Sequence, residues 1–203
     1  MGIGIHSTVV YLIDFGLSKQ FRDPSTYEHI SCKTNLDLTG TAIFASINSH
    51  LGLELGRRDD LESLAYILIY FLCASLPWQG LPSGSKDILK HKRAGPSKLC
   101  RGLPAEFSTF LEYSRSLGFQ DKPSYRYIKD LFNDLSTWEG FQNTAVFDWD
   151  GTDEQPTNMQ PTDVQPHNPA SNDPGGYAIG QRKREGYVIF LSLTSYIVTS
   201  SHV

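Results

Sequence analysis

The densest group of chemically capable side chains is Arg57-Arg58-Asp59-Asp60, two cations and two anions in four residues. Such a group can serve a nuclease or a metal site, but it is also the ordinary start of a charged helix. The helix reading prevails. Asp59 stands at a capping position, Glu62 follows three residues on, and carboxylates favour the positive end of a helix. A carboxylate elsewhere in the chain, Asp14, closes an apolar run and opens the tripeptide Asp14-Phe15-Gly16, which alone says little. The remaining candidates form no motif. The six His, among them His6, His29, His50 and His91, show neither H-E-x-x-H nor Cys/His ligand spacing. Cys32, Cys73 and Cys100 include no C-x-x-C, so neither a zinc site nor a disulfide framework is indicated, and a reducing intracellular setting is the default. No G-x-S-x-G elbow presents a serine nucleophile.

The elements that must position these residues are mostly helical. Val9-Val10-Tyr11-Leu12-Ile13 is a β-branched and aromatic run that reads as a buried strand entering the turn at Asp14. From Phe15 to Asn48 the chain is rich in Ser, Thr, Asp and Gly and reads as a long loop, which in a compact domain is usually functional. Asp59 to Leu72 reads as a helix that is apolar on nearly every face beyond Ser63, and hence central and buried. Leu76-Pro77-Trp78 ends that stretch. Phe107, Phe110, Leu111 and Ser114 recur at i, i+3, i+4 and i+7 after Pro104, predicting an amphipathic helix. Ile128, Leu131, Phe132, Leu135 and Trp138 mark the face of another after Pro123-Ser124.

Composition bounds the rest. The 203 residues are 39% hydrophobic, enough for one sizeable core or one domain with a tail. Eighteen Lys and Arg against twenty-two Asp and Glu give a net charge of −4, which argues against nonspecific nucleic-acid binding. The start of the chain lacks the basic and apolar blocks of a secretory signal, and His6 occupies the place where a myristoylation pattern has Ser or Thr. The longest apolar run, Tyr187 to Thr199, is interrupted by Ser192, Thr194 and Ser195; a membrane-spanning helix needs about 20 apolar residues. No membrane association is expected. Five of the eleven prolines lie between Gly151 and Gly176, without Lys or Arg, so residues 151–203 are expected to form a flexible, disordered tail. Within it, Arg182-Lys183-Arg184 precedes the β-rich run Tyr187–Leu191, which reads as a late strand, a docking peptide or a segment with no selected role.

The order of these pieces carries a resemblance. Asp14-Phe15-Gly16 follows an apolar run and precedes a polar loop ending in Leu38-Thr39-Gly40-Thr41-Ala42 and Ala45-Ser46-Ile47-Asn48. Arg57-Arg58-Asp59-Asp60-Leu61-Glu62-Ser63-Leu64 and Leu76-Pro77-Trp78-Gln79-Gly80 come next. Leu103-Pro104-Ala105-Glu106-Phe107, Asp121-Lys122-Pro123 and Val146-Phe147-Asp148-Trp149 complete the series. Residues 1 to about 150 resemble the C-terminal lobe of a protein kinase, specifically of the casein kinase I family. The resemblance implies a mainly α lobe without the N-terminal β-rich lobe, cytoplasmic or nuclear placement, and protein substrates or kinase partners. It implies that Asp14 holds Mg²⁺ bridging the phosphates of ATP, with Phe15 and Gly16 setting the turn. Residues 17–48 match the activation segment, and Thr41 its threonine near the catalytic loop. Asp60 matches the helix carboxylate that ties down the backbone of that loop.

Several parts of the kinase machinery are absent from these 203 residues. No G-x-G-x-x-G loop, V-A-I-K-like lysine or H-R-D-x-x-x-x-N catalytic loop occurs. A partial kinase domain, inactive on its own, is the expectation, and no residue is assigned a catalytic role. Nucleotide and Mg²⁺ binding are expected to be weak, because Mg²⁺ keeps its waters unless several ligands replace them. Ile13 and Phe15 are expected to be uncovered and the isolated chain poorly soluble. The other reading is a noncatalytic module that docks protein partners. Substrate reading also departs from the family. Ile43 stands where the family has an arginine of a phosphate-accepting site, and Leu89 falls on a basic family position, with Lys86, Lys90, Lys92 and Arg93 nearby. These two departures leave open whether a preference for acidic or prephosphorylated substrates is retained.

Overall fold

The computed structural model describes Tyr11 and residues 13–140. The expected tail 151–203, the motif Val146–Trp149, and Val9, Val10 and Leu12 of the expected strand lie outside the described residues. Six helices follow a long irregular segment: α1 (Ile47–His50), α2 (Arg57–Cys73), α3 (Lys86–Lys92), α4 (Pro96–Leu99), α5 (Ala105–Ser116) and α6 (Tyr125–Trp138). The described residues are thus mainly helical and contain no strand; a single antiparallel bridge joins Arg22 and His29.

The long helix α2 organises the rest. Gly56 is its N-cap in an extended conformation, and Asp59 at N3 accepts the Gly56 N–H at 2.8 Å, so Asp59 closes the first turn from inside rather than capping it from outside. Leu61, Ala65, Tyr66, Leu68, Ile69 and Leu72 are all buried, as expected of a central helix. The helix stops at Ala74, whose left-handed backbone (φ 56°) sends its N–H to the Tyr70 carbonyl. Pro77 lies just beyond, where it cannot continue a helix.

Helix α5 packs along α2, and α6 packs on α5. Phe107 and Phe110 of α5 meet Phe132 of α6 edge to face at 5.4 and 5.6 Å, the geometry that aligns a ring's positive edge with its neighbour's negative face. All three rings are buried. Trp78 closes the other end of the core. Its ring stands 5.0 Å from Tyr66, and its indole N–H donates to the Ile43 carbonyl at 2.7 Å, tying the irregular segment to the helical body.

Two expectations require correction. The apolar run before Asp14 was expected to form a strand, yet Tyr11 and Ile13, its described members, belong to no strand; the exposure of Ile13 (83%) and Phe15 (66%) is the exposure expected of them. A strand needs a neighbour to take its N–H and C=O groups, and no strand is present among the described residues to supply one. Trp138 was expected on the core face of α6 but is 88% exposed, because it is the last residue of that helix and no described element faces it. Helices α3 and α4 were not anticipated.

Candidate functional site

Between the irregular segment and α2 lies a cleft of about 650 Å³. One wall is built from Leu17, Ser18 and Lys19, another from Thr39, Gly40 and Thr41, and the floor from the first turns of α2. The helix start determines what faces the cleft. Asp59 and Asp60 are adjacent and both line the cleft, but successive helix residues point about 100° apart, so Asp59 is buried and Asp60 is exposed.

Asp59 is fully employed. It accepts from Ser46 Oγ at 2.7 Å, from Asn48 Nδ2 at 2.9 Å and from the Gly56 N–H at 2.8 Å. Arg57 and Arg58 are employed as well: they donate to the Gln120 and Leu117 carbonyls at 3.0 and 3.1 Å, and the Arg57 guanidinium lies 4.2 Å from the centre of the Phe21 ring. The four-residue charged group is therefore a structural junction and not a metal cluster. Among the described residues no group of three or more His, Cys, Asp or Glu could hold a metal ion.

Asp60 is the exception. Its carboxylate makes no hydrogen bond to a described residue. It is open to solvent through the cleft and walled by protein on its other sides. That surrounding protein, and next the neighbouring charge of Asp59, push its pKa up to about 6, with Lys19 opposing. Lys19 itself is paired with Glu54 across the cleft. The cleft thus presents one carboxylate without a donor, at a place where backbone or side-chain N–H groups of an inserted segment would satisfy it.

Asp14, Phe15 and Gly16 do not line the cleft; its wall begins one residue later, at Leu17. Asp14 has a left-handed backbone (φ 62°), and its Oδ1 accepts the Gly16 N–H at 3.2 Å across a short 3-10 turn, Phe15–Leu17. A Cβ on Gly16 would come within 3.1 Å of that Oδ1, which is tight. The tripeptide is thus a self-contained turn with Asp14 exposed and Phe15 66% exposed. As a metal ligand it offers one carboxylate and no described partner, so the residues present do not fit Mg²⁺ by themselves. Thr41 lines the cleft, exposed, and its carbonyl accepts the N–H groups of Phe44 and Ala45.

In the sequence Lys92 stands out only as one of several basic residues near Leu89. In the fold it is completely buried. Its Nζ donates to the Ala42 carbonyl at 2.9 Å and to that of Ala45, and it lies 4.9 and 5.1 Å from the centres of the Tyr66 and Trp78 rings. Burial pushes its pKa down to about 7, Glu62 opposing and Arg115 adding to the fall. His50 Nε2 reaches the same Ala42 carbonyl at 3.1 Å, and burial together with Lys92 holds the His50 pKa below its ordinary value.

Glu62, expected as a helix-start partner, is instead buried. It accepts from the Tyr66 hydroxyl at 2.5 Å and pairs with Arg115 at 3.3 Å. Arg115 also donates to the Tyr66 oxygen at 2.9 Å and to the Lys92 carbonyl at 2.6 Å. A polar network thus runs from α2 through α5 to α3 and holds the turn at residues 41–46 against the core. Ile43 packs against that core, and Leu89 lies in the wall of a smaller pocket, so neither position brings positive charge to the surface. No family model matches the chain. Among the described residues no helix is long and apolar enough to cross a membrane.

Proposed function

We propose that residues 1 to about 150 are the C-terminal lobe of a casein-kinase-I-like serine/threonine protein kinase. The observation that carries this reading is the open carboxylate of Asp60 on a buried central helix, facing a cleft of about 650 Å³. A kinase lobe needs such a group there to hold the backbone of its catalytic loop. The long irregular segment from Asp14 to Asn48, standing over the same cleft, supports the reading, since it lies where an activation segment would lie.

In a whole kinase of this kind Asp14 would be one of several ligands for Mg²⁺, the others coming from residues outside these 203, and the ion would supply charge neutralisation. These 203 residues contain no Gly-rich loop, nucleotide lysine or catalytic-loop base. Alone, they transfer no phosphate. Positioning and charge stabilisation provide nearly all of the rate in such enzymes, and one exposed carboxylate supplies little of either.

The exposure of Ile13 (83%) and Phe15 (66%) favours a second reading, a noncatalytic module that docks protein partners through this edge. The two readings separate in a fusion experiment. The segment from the Gly-rich loop through the catalytic loop of a casein kinase I enzyme is joined upstream of Asp14, and phosphate incorporation into casein is measured. The kinase reading expects activity in the fusion, at least a hundredfold lower activity in its Asp14→Ala variant, and none in the 203-residue chain. A folded but inactive fusion, or activity indifferent to Asp14→Ala, would overturn it.

A further inference from the structure

A second, smaller pocket of about 150 Å³ lies away from the cleft, between the Leu36–Leu38 segment, the end of α1 and the start of α3. Its apolar walls are Leu36, Leu38 and Leu89. Leu36 is 38% exposed and the other two are half-buried, so three leucines converge on a space that opens to the surface. Gly52 and Leu36 meet closely at its edge. A Cβ at Gly52 would stand 2.8 Å from the Leu36 carbonyl oxygen, so only glycine fits there, and the Leu36 N–H donates to the Gly52 carbonyl at 3.0 Å. An apolar cavity of roughly this size is filled well by a group as large as benzene, which is the bulk of one Leu, Ile or Phe side chain.

Charge around the pocket says what should carry that side chain. Lys86 stands on the pocket wall, and Lys90 and His91 follow on α3 against a single acid, Asp87. Lys86 and Lys90 are exposed and form no ion pair among the described residues. His50, also in the wall, is directed to the Ala42 carbonyl and adds no acid. A leucine-lined pocket beside unpaired ammonium groups matches an aliphatic side chain flanked by carboxylates.

We propose that this pocket binds a protein segment through one large aliphatic side chain set among acidic residues, with Leu36, Leu38 and Leu89 as the apolar seat and Lys86 as the charge contact. The proposal concerns binding alone and holds or fails apart from the kinase reading, since no phosphoryl transfer enters it.

The test uses the full 203-residue chain and two fluorescein-labelled peptides, Glu-Glu-Leu-Glu-Glu and Glu-Glu-Ala-Glu-Glu, in fluorescence anisotropy at low salt. The Leu peptide should bind at least tenfold more tightly than the Ala peptide, within the range a few methylenes give in an apolar pocket. It should also shift the methyl NMR signals of Leu36, Leu38 and Leu89. Leu89→Asp should remove the preference for Leu, whereas Lys86→Glu should weaken both peptides and leave the preference in place. Because Leu89→Asp risks misfolding, Leu38→Ala is measured beside it, with circular dichroism as the check on folding, and should cut the preference at least threefold. Equal binding of the two peptides, or unshifted leucine methyls, would overturn the proposal. So would a concentration-dependent dimer that buries Leu89, because the seat would then belong to a second copy of the chain.

Discussion

At the scale of single residues, Asp59 and Asp60 show how one step along a helix separates a fully bonded carboxylate from an open one. Asp59 has three hydrogen-bond donors and Asp60 has none among the described residues. The cost to the fold can be read from pH. The Asp60 pKa is raised from 3.8 to about 6, so the fold favours its protonated form. Its contribution to stability is therefore fully present below about pH 4 and is lost as pH rises through about 6. Asp60→Asn should accordingly raise the melting temperature at pH 7.5 by roughly 1–3 °C, a modest figure because solvent reaches the carboxylate through the cleft. At pH 4 the two proteins should melt together. A less stable Asn variant at pH 7.5 would mean that the carboxylate has a partner within the fold, and the cleft would lose its claim to be a binding site. Such a residue, destabilising where it stands, is what a site awaiting a donor looks like. The sequence placed Asp60 in this role only through resemblance; its spacing alone indicated nothing beyond a helix start.

At the scale of elements, what was legible followed apolar periodicity. Phe107, Phe110, Leu111 and Ser114 are all buried in α5, as their spacing required, and α2 is as central as its composition implied. Helix α3 escaped because Lys86–Lys92 places Ile88 and a lysine inside. A pattern that counts only apolar residues cannot register the buried stem and ammonium of Lys92 as core. Its partners are equally invisible, since Ala42 and Ala45 lie 50 and 47 residues away in the chain. The ammonium is the attachment of α3 to the turn at 41–46. Lys92→Met fills similar space but leaves two carbonyls short of a donor, and a buried group left unpaired costs about 1–3 kcal/mol. A loss of that size in the urea unfolding free energy is the expected result. A neutral effect would show that His50 alone satisfies the Ala42 carbonyl and that the attachment lies elsewhere.

At the scale of the whole molecule, the described chain divides into two tiers. From Tyr11 to Phe44 no described residue is buried, whereas every core residue lies from Ala45 onward. The first tier is held by turns, by the Lys19–Glu54 pair, by arginine–aromatic contacts such as Arg57 on Phe21, and by the Trp78 bond to Ile43. The tier buries none of its own residues, so local opening of it should be far easier than global unfolding. Hydrogen exchange read by mass spectrometry checks this directly. Amides of residues 15–44 should exchange at least a hundredfold faster than those of Tyr66, Leu68 and Ile69 in the middle of α2. An occupant of the cleft changes the expectation in a definite way. The upstream kinase segment of the fusion would contact Asp60 and the Leu17–Lys19 wall together, and binding energy spent there stabilises the ordered form of the wall by linkage. Exchange over 17–41 should then slow at least tenfold in the fusion, and Asp60→Asn should reverse most of that slowing while leaving α5 and α6 unchanged. Uniform protection across the chain without the upstream segment would mean that the first tier is already closed, and that the cleft is a static groove with nothing left to order.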